Sequence, residues 1–212
     1  MSRNVLAIVA VGKQYADWAI DVIERFKTTR WEIEVLTDDE RIFDYDAYCN
    51  VEFYERRIFS YFDKMLFVLR CVEKCKSGVV YVDVDRVHEY SMNFLETLSE
   101  GSQVSILNYW NGENKKFKGN YDSGIHFVPL IKYCQDHEID YDVDTISEEI
   151  FFVPYLNNIG QVIYDVEKLR PVFEYQSLIS RSTNKYYPNV GNAEGLALSI
   201  ALNKNGHQII RI

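Results

Sequence analysis

Two aspartates two residues apart close the apolar run "GVVYVDVDRV", residues 78–87. A buried carboxylate without a partner loses its hydration, so the interior of a strand is an unfavourable place for either of them. Period-two alternation sets Tyr81, Asp83 and Asp85 on one side of the strand and Val82 and Val84 on the other. No basic residue precedes Arg86 in this run, which leaves a cation or solvent to face the pair. Carboxylates are hard oxygen ligands suited to Mn²⁺ or Mg²⁺, and such ions often bridge to substrate phosphates. Ligands of open parallel sheets bind outside the carboxyl ends of the strands, and Asp83 and Asp85 fall where the apolar run stops. D-x-D is nevertheless short and common, and a solvated strand end would carry the same residues.

The elements that must position this pair are legible in the first half of the chain. "NVLAIVAV", residues 4–11, is a continuous β-type apolar run, the pattern of a strand covered on both faces. "GKQYADWAIDVIERFK" repeats Trp18, Ala19, Val22, Ile23 and Phe26 at helical spacing. "WEIEVLTDD" reads as strand, with Ile33 and Val35 alternating against Glu32 and Glu34, and "CNVEFYE" reads as a short strand. Phe59, Phe62, Leu66, Leu69 and Val72 predict a long helix to about residue 76, and Gly78 marks the turn into "VVYVDVD". Strand, helix, strand, strand, helix, strand is the rhythm of a mostly parallel sheet with right-handed crossovers.

The second half is less regular. "SMNFLETLSE" predicts a short helix, "QVSILN" a strand, "YWNGENKKFKGN" a polar loop and "SGIHFVPL" a strand. "SEEIFFVPYL" reads as a helix capped by Ser147 and limited by Pro154. "GQVIYDV" reads as a strand, "AEGLALSIALNKNG" as a helix closed by Gly206, and "HQIIRI" as a final strand. No repeat, low-complexity segment or linker interrupts residues 1–212, so one α/β domain is expected, with a Rossmann-like, mostly parallel sheet flanked by helices.

Composition narrows the function classes. The net charge of −9 and the lack of a basic stripe disfavour nucleic acid as a partner. An anionic substrate would therefore need a cation or a few local basic groups. Aromatic residues reach 15%, with 16 Tyr and 12 Phe; most belong in a core, but tyrosines facing a cleft can stack on sugars or bases. Cys49, Cys71, Cys75 and Cys134 form no CxxC spacing and read as reduced core residues. The apolar run Val5–Val11 is too short for a signal segment, and no run approaches ~20 apolar residues for a membrane span. A reducing, cytoplasmic setting is the expectation.

Four ordered stretches extend the D-x-D signal: "VLAIVAVGKQY", "EVLTDD", "FDKMLFVLRCVEKCKSGVVYVDVD" and "NYDSGIHFV". Together they resemble the nucleotide-sugar glycosyltransferases of the GT-A fold, most of all the glycogenin-like retaining group. The likeness covers residues 4–128 well and the remainder poorly. It implies a GT-A-like domain in which residues 1–107 bind the donor, a nucleotide-diphosphate sugar (a UDP-sugar foremost), and residues 108–212 build the acceptor side. By this resemblance the backbone of Ala10 and Val11, with Tyr15, holds the base, and Asp38 touches base or ribose. Lys64 is the basic donor contact, Asp83 touches ribose and metal, and Asp85 binds the metal, Mn²⁺ or Mg²⁺. Asp122 stands where the group has Asn at the sugar contact. Of the group's closing His-x-x-Gly-x-x-Lys-Pro-Trp element only His207 remains, as a third metal ligand; His126 reads as structural.

The remaining candidates are local. Glu148 and Glu149 open a predicted helix, where carboxylates also complement the macrodipole; with Asp122 and Ser123 they would face the acceptor, whose identity the sequence leaves open. "SRSTNKYYPNVGN", residues 180–192, carries Arg181, Lys185 and two tyrosines, as a loop folding over a diphosphate would. Two rival readings stand beside the transferase. One is a non-catalytic sugar-nucleotide or carbohydrate-binding module on the same fold. The other is a haloacid-dehalogenase-like phosphatase, which carries its D-x-D after the first strand, whereas here the motif begins at residue 83.

Overall fold

A computed structural model of the chain describes residues 4–55, 60–106, 134–140, 143, 149–182 and 193–211. Strand β1 (Asn4–Ala10) lies parallel between β2 (Trp31–Thr37) and β4 (Val79–Val82), and β3 (Asn50–Phe53) adds in parallel beyond β2. With β5 (Val104–Ile106), β6 (Ile150–Val153) and β7 (Ile209–Arg211), the described strands form one sheet in the order β3-β2-β1-β4-β6-β5-β7. β6 runs antiparallel to both β4 and β5, and β7 is parallel to β5. The expected α/β architecture with a mostly parallel sheet is therefore present.

Both faces of β1 are covered, as its unbroken apolar run requires. Leu6 and Ile8 join one core with Ala16, Ala19, Val22, Ile23 and Phe26 of α1 (Lys13–Phe26) and Leu95 and Leu98 of α3 (Met92–Ser99). Val5, Ala7 and Val9 join the other core, under α2 (Tyr61–Cys75), α4 (Ile159–Ser182) and α5 (Ala193–Lys204). Burying alternate residues of one strand into opposite cores fixes its register, because a one-residue slip would exchange the two sets. Local signals set the helix ends. The Ser60 hydroxyl accepts from the N–H of Phe62, the Ser91 hydroxyl accepts from the N–H of Phe94, and Lys76 in the left-handed region ends α2. A Cβ at Gly78 would lie 2.5 Å from Cζ of Phe152, so only glycine lets the start of β4 pass beneath that ring.

Three sequence expectations change. "SEEIFFVPYL" does not give a helix: Ile150–Val153 is strand β6, each residue buried and paired with β4, and Phe151 and Phe152 paired with β5 as well. A run of four apolar residues can serve either element, and the free edges of β4 and β5 select the strand. "GQVIYDV" is not a strand but part of α4, where Ile159, Val162, Val166 and Leu169 keep a helical period toward the core. Because α4 continues through Pro171 to Ser182, Ser180–Ser182 are helical and not loop. The rest of that loop, including Lys185, lies outside the described residues, as do "SGIHFVPL", Asp122, Ser123, His126, Ser147 and Glu148. Among the described residues no helix is long and apolar enough to cross a membrane.

Candidate functional site

From β1 the chain first builds outward through β2 to β3, then returns over α2 to place β4 on the opposite side of β1. The strand order reverses between β1 and β4, and the crevice at the carboxyl ends of such a pair is where open α/β sheets bind ligands. Ala7 is level with Tyr81. Two residues farther along, the end of β1 and the Asp83 turn therefore lie side by side.

The D-x-D pair stands just past the strand, not on it. β4 ends at Val82, and the Arg86 N–H donates to the Asp83 carbonyl at 2.8 Å to close a turn. The alternation survives in burial: Val84 is buried, while Asp83 and Asp85 are half-buried. A basic group does meet Asp83, and it comes from α2. Lys64 Nζ donates to Asp83 Oδ1 at 3.3 Å, and the Tyr81 hydroxyl donates to the same oxygen at 2.5 Å. Lys64 is only 4% exposed, and its ammonium sits 5.2 Å from the centroid of the Tyr81 ring, an arrangement that favours a cation further. Arg86, the base adjacent in sequence, turns instead to Glu89 at 2.6 Å.

The first turn of α2 is held from behind. Asp63 is buried, accepts from the Tyr54 hydroxyl at 2.7 Å, and pairs with Arg170 Nη1 of α4 at 2.9 Å. Neighbouring side chains of one helical turn thus reach different partners, Asp63 toward α4 and Lys64 toward the end of β4.

The β1 side of the crevice is closed by a clasp. Gly12 adopts φ 101°, a conformation that favours glycine, and its N–H donates to Asp38 Oδ1 at 2.7 Å. The Thr37 hydroxyl donates to the Ala10 carbonyl at 2.8 Å. Ala10 is buried, Val11 is half-buried, and Tyr15 is exposed with its ring edge-on to Trp18 at 5.4 Å. Asp39 caps the 3-10 turn Glu40–Tyr45 and pairs with Arg41, which also pairs with Asp17. Ala10, Val11, Tyr15, Asp38, Lys64, Asp83 and Asp85 are all carried by this end of the sheet.

Glu149 joins them from β6. Its carbonyl accepts the Asp83 N–H at 2.7 Å, its Oε1 lies 3.9 Å from Arg86 Nη2, and its Oε2 is buried without a hydrogen-bond partner. The turn after β4 thus carries Asp83 and Asp85 with Glu149 beside it, oxygen donors of the kind a hard divalent cation such as Mn²⁺ or Mg²⁺ takes. Their ligand atoms do not gather within 4.8 Å of one another as a group of three.

His207 does not join the group. Ile209 is level with Val104 in β7 and β5, and the β5–β6–β4 pairings carry that level to the start of β4 near Val79. His207, two residues before Ile209, thus lies at the end of the sheet opposite Asp83, roughly 20 Å away along the strand direction at ~3.3 Å per residue. There it packs as a side chain of the α5–β7 turn, with Nε2 2.7 Å from Asn158 Oδ1, and burial holds its pKa below the usual histidine value. It is not placed to be a third ligand to a metal on Asp83 and Asp85.

Along β2, Glu32 and Glu34 form with Cys75 a second group, with ligand atoms within 4.8 Å of one another. Lys74 Nζ, 2.8 Å from buried Glu34, already supplies a positive charge there, and Asn50 Nδ2 donates to both glutamates. Burial, with Glu34 nearby, pushes the Cys75 thiol up to about 11, so the group is closed by its own lysine. Sequence reasoning missed Arg170 behind Asp63, and it named Glu149 as a candidate without relating it to Asp83. Tyr81 carried a usable signal, since it precedes Asp83 by two residues on the same side.

No protein-family model matches this chain, and no curated protein matches it.

Proposed function

We propose that this chain is a glycosyltransferase that uses a divalent cation to move a sugar from a nucleotide-diphosphate sugar, a UDP-sugar foremost, to an acceptor, with retention of configuration. The observation that carries the reading is the meeting of Asp83, Lys64 and Glu149 with the Gly12–Asp38 clasp at the β1–β4 reversal. The donor would lie across the carboxyl end of β1, its base near Val11 and Tyr15 and its ribose near Asp38. Asp83 and Asp85 would hold the cation, which when bound offsets the charge that develops on the departing diphosphate.

Lys64 brings a buried positive charge to the same place, where low exposure strengthens its effect on a developing anion. Glu149, whose side chain is partly exposed beside Arg86, can accept a hydrogen bond from an acceptor hydroxyl and orient it. In front-face retention the acceptor proton passes to the leaving phosphate oxygen, so no dedicated base is required. The overall negative charge of −9 makes such local positive groups necessary for an anionic donor.

A thermal-shift panel of nucleotide sugars, with and without Mn²⁺, followed by assay of released nucleotide, tests the proposal. Stabilisation by one donor class only with the cation present, together with release of nucleoside diphosphate, is the expected result. Stabilisation without release would instead support the non-catalytic binding module. No response to any uridine, guanosine, adenosine or cytidine nucleotide sugar under either condition would remove both readings.

A further inference from the structure

We propose that the outer edge of β3, with the cleft at its start, docks an extended segment of another protein in which basic and apolar residues alternate. The proposal does not rest on the transferase reading, because β3 lies on the far side of β2 from the β1–β4 crevice. The Tyr54 N–H donates to the Thr37 carbonyl at 2.6 Å, so by alternation Asn50 and Glu52 also turn their main-chain groups toward β2. The N–H and C=O of Val51 and Phe53 therefore point outward, and no described strand lies beyond them. A row of such unpaired groups is a template for a further strand.

Side chains mark both ends of this edge. Phe43, Tyr48 and Phe53, 43%, 49% and 43% exposed, are three of the six large hydrophobic side chains that stand exposed among the described residues. Phe43 and Phe53 meet at the end of β3 with ring centroids 6.0 Å apart. At its start, Arg30, Glu32, Asp46, Tyr48 and Asn50 help to line a cleft of about 350 Å³.

Charge selects the occupant. Residues 40–55 hold Glu40, Asp44, Asp46, Glu52 and Glu55 against Arg41. Arg41 is committed to Asp39 and Asp17, and Glu52 to Arg70, whereas Asp44 and Asp46 make no ion pair among the described residues. The nearby bases are Arg30 at the cleft and Lys27, which lies 5.8 Å from the centroid of the Tyr48 ring; Arg56 and Arg57 lie outside the described residues. A second copy of the chain would set the same acidic segment against itself, like charge opposite like charge. Lysine or arginine side chains on an incoming strand would instead meet Asp44, Asp46 and the cleft, and its apolar residues would cover Phe43 and Phe53. In this mode main-chain bonds to Val51 and Phe53 give affinity, and the side-chain sites give specificity.

The test is calorimetric titration of the intact chain with a short blocked peptide alternating lysine with valine, and with its counterpart alternating glutamate with valine. Saturable binding of the lysine peptide alone is expected, with hydrogen exchange of the Val51 and Phe53 amides slowed by it. Val51→Pro removes an N–H that faces outward, so the sheet keeps its own bonds while the lysine peptide should bind at least about tenfold more weakly. Asp44→Asn combined with Asp46→Asn, both exposed, should weaken the peptide about twofold to tenfold, and decides the matter if the proline variant does not fold. No binding of the lysine peptide, equal binding of both peptides, equal binding to a folded Val51→Pro, an unweakened double variant or unchanged amide exchange would each overturn the proposal. A dimer in sedimentation that Val51→Pro dissociates would overturn it too, and would assign the edge to a second copy.

Discussion

The backbone N–H of Asp83 donates to the carbonyl of Glu149 at 2.7 Å, joining two residues that lie far apart in the chain. The turn after β4 and the residue entering β6 are thereby one unit, and the Glu149 side chain is presented beside the turn by main-chain geometry alone.

Glu149→Gln should therefore fold as wild type, since the bond to Asp83 uses the carbonyl. Transfer to acceptor is expected to fall about tenfold to a hundredfold, with slow donor hydrolysis spared. Steady-state rates of transfer and hydrolysis check this. NMR of the first-formed product should show the donor's anomeric configuration; the opposite configuration would make Glu149 a general base.

Asp83→Asn and Asp85→Asn should both abolish most cation-dependent nucleotide binding but differ in stability. The Asp83 change withdraws a negative partner from buried Lys64 and should cost about 1–3 kcal/mol. The Asp85 change should stay within about 0.5 kcal/mol. Denaturant unfolding of the two variants measures the difference, and equal losses would contradict the role given to Lys64.

Gly12→Ala tests the clasp. The new Cβ would meet only Tyr15 Cδ2, at 3.7 Å, so the expected loss of about 1–2 kcal/mol comes from backbone strain at φ 101° and not from a collision. UDP binding should weaken with it, as Asp38 loses its fixed partner. Unchanged stability together with unchanged UDP affinity would show that the turn tolerates other conformations.

A pH dependence follows from Asp165, buried where α4 meets α5. Burial pushes its pKa up, but hydrogen bonds from Lys204 at 2.6 Å, Asn205 at 2.8 Å and Gln161 at 3.4 Å outweigh this and hold it below the usual 3.8. A depressed carboxylate contributes stability that is present above its unfolded pKa and lost as pH falls through the folded one. Asp165→Asn should thus cost about 1–3 kcal/mol at neutral pH, and the gap to wild type should close below pH 3.8. Thermal melts of both proteins at several pH values between 7 and 2.5 would reveal a gap that persists in acid.

Much of the sheet that carries the site was legible in sequence because its parts extend over many residues. β1 shows as one unbroken β-type apolar run, and strand β2 with helices α1 and α2 repeats its period often enough to decide between 2 and 3.6. Short windows failed in both directions. Ile150–Val153 borrowed helical character from Ser147 and the glutamates before it, and "GQVIYDV" looked like strand until the period was followed to Leu169. The resemblance marked Lys64 as a donor contact, and its bond to Asp83 was not legible in the sequence. Nothing in a linear reading relates the first turn of a helix to the end of the next strand.

The position of β6 has a consequence for how the chain matures during synthesis. Residues 4–82 contain four strands that can pair as soon as they emerge, but the outer edge of β4, "VVYV", is completed only by residues 150–153. Sixty-seven residues lie between Val82 and Ile150, roughly 3–13 s of translation at ~5–20 residues per second. Throughout that interval an apolar, unpaired strand edge is available to other nascent chains or to chaperones. Aggregation of this protein should therefore begin on the unfinished chain, and fragments ending before residue 150 should be far less soluble than the whole.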